Sequence, residues 1–347
     1  MKKLVLFLVV ALLLPVVSTP ASAPARAEGG SITVFNWYDY IDESVIQKFE
    51  EETGIQVKYT NFTTNEEMYA KLKNSNGAYD VIFPSDYIIE RMIREDMLEK
   101  LDPAAIPNAA GVIDTLKNPD YDPTGEYSVP YMWGTVGILY NTDLVDEDIT
   151  SWQSLFNGKY KVFMLDSIRD TIAVALKTLG YSMNTRDITE LNAARDLLIK
   201  QKNDGIVKGY LVDETKDKMI AGEAPLALMW SGDAMYAITQ NPSLKYVIPE
   251  EGSNVWVDAM CIPKGSQNKE AAEKFIDFLC RPDIAYKNLE YIYYSTPIQA
   301  VHDMLTEEEL GYEALNPSPE SLARCEFFHD ISGDMALYDK IWMEIRS

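Results

Sequence analysis

Aromatic residues stand beside carboxylates at four places where a predicted strand ends. An alkyl polyamine needs carboxylates that accept charged hydrogen bonds from its ammonium groups, and flat aromatic walls that pack its methylenes and face its cations. The pattern therefore predicts a binding site for a small organic polycation, with no covalent chemistry required. The four segments are Trp37-Tyr38-Asp39-Tyr40, Ser85-Asp86-Tyr87, Trp230-Ser231-Gly232-Asp233 and Trp256-Val257-Asp258. Two further segments complete the set, Asp166-Ser167-Ile168-Arg169-Asp170 and Tyr293-Tyr294.

Helix capping is the plain structural alternative for the polar members of this set. Asp39, Ser85, Asp170 and Asp233 each precede or open a predicted helix, where a side-chain oxygen commonly caps a backbone amide. Capping explains the acids one at a time. It does not explain why a Trp or Tyr accompanies them repeatedly.

Three other functions compete with cation capture. Adjacent tyrosines, Tyr293 and Tyr294, could bind ferric iron or another cation within the same fold, although ferric sites favour hard oxygen ligands and little aromatic walling. Two of the carboxylates could serve a glycosidase-like enzyme, which requires them about 5 to 10 Å apart. A sensory role, in which the loaded protein docks on a receptor, also stays open. The residues nominate neither a nucleophile nor a base, so we expect no enzyme.

The elements that position these residues alternate between strand and helix, which indicates open α/β sheets that bind ligands beyond the ends of their strands. A first block predicts a parallel sheet, and a second block, from about residue 139 to 255, predicts another α/β domain. The strands are expected at 32–37, 55–59, 79–83, 160–165, 206–211, 226–230 and 256–262. The helices are expected at 44–53, 68–72, 87–97, 170–179, 188–200, 215–221 and 270–280, the last one stopped by Arg281-Pro282-Asp283.

Composition places the chain outside the cytoplasm and away from nucleic acid. Lys2 and Lys3 precede a short apolar run and a small-residue stretch that ends at Ala27, a pattern typical of a secretory signal peptide. The formal net charge of −23 opposes a nucleic-acid partner. Three cysteines, Cys261, Cys280 and Cys325, allow one disulfide at most or buried free thiols. Neither these nor the two histidines predict a metal site or a cofactor.

Longer stretches resemble the periplasmic spermidine/putrescine-binding proteins of polyamine ABC importers, from about Ile32 nearly to the C-terminus. The matching stretches include Phe35-Asn36-Trp37-Tyr38-Asp39-Tyr40, Glu52-Thr53-Gly54-Ile55, Met68-Tyr69-Ala70-Lys71-Leu72, Gly77-Ala78-Tyr79-Asp80-Val81, Val129-Pro130-Tyr131-Met132-Trp133-Gly134, Leu179-Gly180-Tyr181-Ser182, Pro249-Glu250-Glu251-Gly252 and Phe278-Leu279-Cys280-Arg281-Pro282-Asp283. The resemblance implies a two-lobed periplasmic-binding-protein fold of type II, each lobe an open mixed sheet flanked by helices. It also implies lobes that close on the ligand.

The resemblance further implies a domain division and a set of contacts. We expect a signal peptide at 1–27, a first lobe at 28–136 plus 259–302, and a second at 137–258 plus 303–347. The implied partners are a polyamine ligand and the membrane permease of an ABC importer. The protein itself is expected to be a periplasmic monomer without a lipid anchor. The expected ligand-binding residues are Trp37, Asp39, Tyr40, Ser85, Tyr87, Asp170, Trp230, Asp233, Trp256, Asp258 and Tyr294.

Three positions depart from the spermidine-preferring pattern. Ser167 stands where that pattern has Asp, Val212 where it has Ser, and Phe328 where it has Gln. Asp233, in contrast, resembles an Asp of putrescine-preferring relatives. We therefore expect the site to accept putrescine as well as spermidine.

Overall fold

The computed structural model describes residues 30–347, so the predicted signal peptide at 1–27 lies outside the described residues. Within the described range, no helix is long and apolar enough to cross a membrane. The strands are β1 Ser31–Trp37, β2 Gln56–Phe62, β3 Val81–Ile82, β4 Val129–Asn141, β5 Val162–Leu165, β6 Val207–Leu211, β7 Leu226–Trp230, β8 Leu244–Val247 and β9 Val255–Met260.

The helices follow the same alternation along the chain. They are α1 Glu43–Thr53, α2 Asn65–Lys73, α3 Asp86–Arg94, α4 Ile168–Thr178, α5 Ile188–Asn203, α6 Glu214–Ile220, α7 Ser231–Gln240, α8 Lys269–Leu279, α9 Pro282–Ile292, α10 Gln299–His302, α11 Glu307–Leu310, α12 Pro319–Leu322 and α13 Met335–Arg346. Short 3₁₀ helices span Pro107–Gly111, Asp114–Leu116 and Trp152–Leu155.

The first lobe, defined here as β1–β3 with α1–α3, α8 and α9, contains a parallel sheet in the order β2-β1-β3. Helix α1 begins where the Asp42 side chain accepts from the amide of Ser44, and it ends at Gly54, whose φ of 71° is left-handed. That conformation suits glycine because it has no Cβ. Phe49 of α1 packs edge-on against Phe275 of α8 at 4.9 Å between ring centroids, so both helices cover the same face.

The second lobe, defined here as β4–β8 with α4–α7 and α13, contains a mixed sheet. Its order is β6-β5-β7-β4-β8, and β9 pairs with β4 beside that path. Strand β5 runs parallel to β6 and β7, whereas β4 runs antiparallel to β7 and β8. Helices α4, α5 and α13 pack together on one face of the sheet, and α6 and α7 lie against each other beside β7.

Two long strands connect the lobes. The first half of β4, Val129–Thr135, pairs with β9, and its second half pairs with β7 and β8. Strand β9 reaches the first lobe through bridges from Asp258 to Ser85 and from Cys261 to Ile82. The predicted divisions at 136/137 and 258/259 fall within these strands, and they stay predictions, as does the division at 302/303.

The alternation of strands and helices predicted from the sequence is confirmed, with sheets flanked by helices. The sheet of the second lobe is mixed as expected, whereas the sheet of the first lobe is parallel. Strand β7 has the predicted bounds, and α9 restarts at Pro282 directly after the predicted helix stop. Strands β4 and β8 and helices α7 and α10–α13 have no counterpart in the predicted elements. Within residues 30–347 the three cysteines are free thiols, and Cys261 and Cys280 are buried.

Candidate functional site

The centre of the candidate site is the carboxylate of Asp258 on β9. The hydroxyl of Ser85 donates to its Oδ1 at 2.6 Å, and the hydroxyl of Tyr40 donates to its Oδ2 at 2.9 Å. The carboxylate is 6% exposed. Burial raises its pKa to about 6, and the two hydroxyl hydrogen bonds limit that rise. The site therefore holds a carboxylate that would gain from a cation beside it.

Ser85 shows how the capping alternative fails at this position. It occupies the N-cap position of α3, yet its hydroxyl is turned to Asp258 rather than to an amide of the helix. Asn65, the first residue of α2, donates through Nδ2 to Ser85 Oγ and to the Tyr87 hydroxyl, both at 3.0 Å. Asn65 thus orients two predicted contacts. It is itself absent from the predicted set.

The other acids are also placed differently from capping residues. Asp170 and Asp233 are each the third residue of their helix, and the N-cap positions belong to Ser167 and Trp230. Helix α1 is capped by Asp42 rather than by Asp39. The acids of the motifs are therefore available for contacts other than capping.

Tyr294 forms the aromatic wall between the two lobes. Its ring lies edge-on to Trp256 at 4.9 Å and to Tyr40 at 6.1 Å between centroids. Its hydroxyl donates to Asp233 Oδ2 at 3.3 Å. A Cβ at Gly232 would lie 2.3 Å from the Tyr294 ring, so glycine is required for this close packing. The ring thereby joins the connecting strand β9 to the start of α7.

Asp233 is the one predicted acid that meets a basic side chain. Lys216 of α6 places its Nζ 3.4 Å from Asp233 Oδ1. Burial raises the pKa of Asp233, and the Lys216 ammonium opposes that rise. No local pattern in the sequence marks Lys216, which belongs to a polar surface helix.

Asp170 lies where β5 ends and α4 begins, on the second lobe. It is 7% exposed and accepts from the Ser167 hydroxyl at 2.7 Å. Burial raises its pKa, and the Ser167 hydroxyl, the charge of Arg169 and the donors of Trp230 and Asn254 act in the opposite direction. Trp230, at the end of β7, therefore lies beside this acid.

Arg169, the neighbour of Asp170, joins the two lobes by packing on aromatic rings. Its guanidinium carbon lies 4.2 Å from the Phe328 ring centroid and 5.5 Å from that of Tyr87. The Tyr87 ring expected to contact ligand thus already faces a cation of the chain. Phe328, which stands where the spermidine-preferring pattern has Gln, provides the nearer of these two rings that the Arg169 guanidinium contacts.

Two predicted contacts lie apart from the group around Asp258. Trp37 ends β1, packs at 4.5 Å on Phe62, and donates from Nε1 to the carbonyl of Phe83 at 2.8 Å, so its described contacts are within the first lobe. Asp39 is exposed and accepts from the hydroxyl of Tyr291. Its φ of 54° reverses the chain direction, which turns Tyr40 inward and Asp39 outward.

Asp86 is a buried acid that the motifs contain but that was not among the expected contacts. It accepts from the amide of Tyr87 at 2.6 Å and from that of Val257 at 3.4 Å. Burial raises its pKa well above the usual range. We therefore assign it to holding α3 against β9 through these two hydrogen bonds.

The arrangement supports cation binding better than metal or acid–base chemistry. Within residues 30–347, Asp233 is the predicted acid that forms an ion pair, whereas Arg169 acts on Asp170 only at longer range. In the same residues, no group of three His, Cys, Asp or Glu side chains is close enough to hold a metal ion. Tyr293 packs edge-on against Tyr236 at 5.5 Å, whereas Tyr294 points to Asp233. The adjacent tyrosines thus face different neighbours, which speaks against a shared iron site.

Comparison with known proteins agrees with this architecture. The chain is 34% identical over 330 residues to the spermidine/putrescine-binding periplasmic protein of Salmonella typhimurium, covering 94% of both chains. It is 30% identical to the putrescine-binding periplasmic protein SpuD of Pseudomonas aeruginosa, covering 97% of both. The crystal structure of a spermidine/putrescine ABC transporter substrate-binding protein from Streptococcus pneumoniae matches with a TM-score of 0.82 and 35% identity, covering 91% of this chain and 98% of that one.

These likenesses confirm the predicted two-lobed, type II binding-protein fold. The family model described as bacterial extracellular solute-binding protein matches residues 44–310, which is more than half of the chain. Together with the relatives above, that match shows that the chain belongs to the bacterial extracellular solute-binding protein family.

Proposed function

We propose that this protein captures polyamines, putrescine or spermidine, between its two lobes and delivers them to the membrane permease of an ABC importer. The similar proteins from Salmonella typhimurium and Pseudomonas aeruginosa are named for binding spermidine and putrescine. The one from Streptococcus pneumoniae is named as a substrate-binding protein of an ABC transporter. The chain's own cleft provides the physical reason for the same ligand class.

The observation on which the proposal depends most is the environment of Asp258. This carboxylate is buried among hydroxyls and aromatic rings, and within residues 30–347 it forms no ion pair with a basic side chain. A buried unpaired charge is unfavourable until a cation arrives. An ammonium group that reaches Asp258 adds a charged hydrogen bond to those donated by the Ser85 and Tyr40 hydroxyls.

The contacts available suffice for useful affinity. Charged hydrogen bonds contribute about 1.5 to 3 kcal/mol each, and a cation against an aromatic ring about 0.5 to 2 kcal/mol. Two carboxylates, Asp258 and Asp170, plus the walls of Trp256 and Tyr294 can therefore supply the roughly 8 kcal/mol of micromolar binding. No bond of the ligand has to break, so we propose a binding protein and not an enzyme.

The proposed location follows from the family and the sequence. Proteins similar to this one are named as periplasmic, and the first 27 residues have the pattern of a secretory signal. We propose that the mature protein acts as a monomer in the periplasm, free of a lipid anchor.

Calorimetry of the mature protein tests this function. We expect heat from putrescine and spermidine at micromolar concentrations, and none from ferric iron, arginine or lysine at the same concentrations. Trp256→Ala should weaken polyamine binding about fivefold or more because a wall of the cleft is lost. Trp342→Ala, a control on the remote helix α13, should not. An absence of heat with every polyamine would refute the proposal, and so would a product formed from the ligand.

A further inference from the structure

Lys216 places an ammonium group of the chain itself in the candidate cleft. Its Nζ lies 3.4 Å from Asp233 Oδ1 and 5.7 Å from the ring centroid of Tyr236. The side chains of Lys216 and Asp233 are 30% and 23% exposed, so the pair is partly shielded from water. An acid and an aromatic ring around an ammonium are the same surroundings that a polyamine end requires.

The charges nearby keep Lys216 protonated. Burial lowers its pKa, but Asp233, Asp213 and Asp39 each raise it, and the outcome is a pKa above the usual value for lysine. Asp233 is the acid in contact with this ammonium, and Asp213 and Asp39 act on it at longer range through their charges. Lys216 is therefore a permanent cation at physiological pH.

Asp233 is fully engaged by groups of the chain. Lys216 donates to Oδ1, and the Tyr294 hydroxyl donates to Oδ2 at 3.3 Å. A ligand ammonium that reaches Asp233 must first displace Lys216. Arg169 acts on Asp170 only through its charge at longer range, and its guanidinium packs on the rings of Phe328 and Tyr87. Within residues 30–347, a ligand that ends at Asp258 and Asp170 therefore has no lysine to displace.

We propose that Lys216 is a specificity-determining residue, a tethered ammonium that occupies the Asp233 subsite and matches the cleft to dications over trications. This inference depends on the proposed function. Of the three cleft acids Asp170, Asp233 and Asp258, one is neutralised by Lys216, which leaves two negative charges for the ligand. Putrescine supplies two positive charges, whereas spermidine supplies three and has to place its third against Lys216.

The test compares Lys216→Met with wild type by calorimetry. Methionine keeps an unbranched chain of similar length and removes the charge. We expect affinity for spermidine to rise about tenfold more than affinity for putrescine, because only spermidine has a third ammonium to take the vacated position. Lys218→Met removes a half-buried lysine of the same helix that pairs with Glu223 rather than with a cleft acid, and it should leave the spermidine-to-putrescine ratio unchanged. An equal change for both ligands in Lys216→Met overturns the inference.

A second measurement separates this inference from the proposed function. Reductive methylation with ¹³C-formaldehyde makes the Lys216 ammonium visible by NMR, and its signal is assigned by its loss in Lys216→Met. We expect its pKa to fall in Asp233→Asn, in the ligand-free protein. If wild type binds no polyamine, the proposed function fails while that fall still supports a tethered ammonium on Asp233. A pKa that does not move in Asp233→Asn overturns the inference whatever the ligand.

Discussion

Ser85 and Asp258 form an antiparallel backbone bridge, and across it the serine hydroxyl donates to the carboxylate at 2.6 Å. One residue comes from the start of α3 and the other from the connecting strand β9. The bridge fixes both backbones, so the carboxylate is oriented before ligand arrives. The neutral hydroxyls stabilise the ionised carboxylate but do not neutralise its charge. Burial therefore still raises the pKa of Asp258 to about 6.

Polyamine affinity should therefore depend on pH through Asp258. The ionised carboxylate binds an ammonium, and the protonated carboxyl must first lose its proton. With a pKa of about 6 in the free protein, binding is at full strength above that pH and weakens as the pH falls through it. We expect affinity for putrescine at pH 5 to be about tenfold below that at pH 7.5. Calorimetry over this range checks it, with circular dichroism to verify the fold. A flat profile would contradict the role of Asp258.

Asp258→Asn should make the ligand-free protein more stable while removing binding. The folded-state pKa of about 6 exceeds the usual value of 3.8, so the folded protein holds this proton more tightly than the unfolded chain. The carboxyl thus reduces the free energy of unfolding progressively from about pH 4 to 6, and fully above that. We expect a gain of the order of 3 kcal/mol at pH 7.5 that disappears below about pH 4.

Urea unfolding at both pH values measures this gain. Asp187→Asn is a suitable control, because the pKa of the exposed Asp187 is lowered by hydrogen bonds at the start of α5. Its carboxylate favours the fold at neutral pH, so this variant should not gain stability there. A gain of equal size in both variants would point to a general charge effect rather than to burial of Asp258.

In Ser85→Ala, the fall of polyamine affinity on acidification, called the acid limb here, should begin at a higher pH than in wild type. The serine hydroxyl lowers the pKa of Asp258 by donating to it, so its loss raises that pKa further. We expect the limb to shift by about one pH unit. Thr306→Ala removes a true capping box at α11 and should lower stability by about 1 kcal/mol with the limb unmoved. Calorimetric titrations of putrescine from pH 5 to 8 compare the variants, and coincident limbs would remove Ser85 from the site.

The sequence could predict those elements whose signals are local. Strand β7, Leu226–Trp230, is a continuous apolar run, and the segment Arg281-Pro282-Asp283 predicts the break between α8 and α9. Strand β4 was not predicted because Pro130 and Gly134 interrupt its apolar run, although the whole strand is buried. It also contains Gly137, where a Cβ would lie 2.4 Å from the ring of Tyr246. That need for glycine depends on a residue more than one hundred positions away.

The same distinction between local signals and contacts of distant residues applies to the candidate site. Residue types at strand ends predicted the group around Asp258, since chemistry and position agree there. They could not predict Lys216 or Asn65, because these residues contact Asp233 and Ser85 only through the tertiary packing of α6 and α2. Asp39 is exposed at a turn with a left-handed φ of 54°, and its place among the ligand contacts stays a prediction.

Gly232→Ala should weaken polyamine binding although alanine is the better helix former. Glycine at the start of α7 forgoes up to about 1 kcal/mol of helix stability relative to alanine. The added Cβ would lie 2.3 to 2.5 Å from three atoms of the Tyr294 ring, so the ring has to move away from Trp256 and Asp233. We expect putrescine affinity to fall about tenfold, by analogy with the loss of an aromatic wall and its hydroxyl contact.

Gly111→Ala provides the matched control for this change. There the nearest atom to the added Cβ is Ile298 Cγ2 at 3.8 Å, an ordinary contact, and the position ends the 3₁₀ helix Pro107–Gly111. Its putrescine affinity should equal that of wild type in parallel calorimetric titrations. If Gly232→Ala also binds normally and unfolds at a higher urea concentration, the Tyr294 ring is free to shift. The close packing of Tyr294 on α7 would then have no part in holding the ligand.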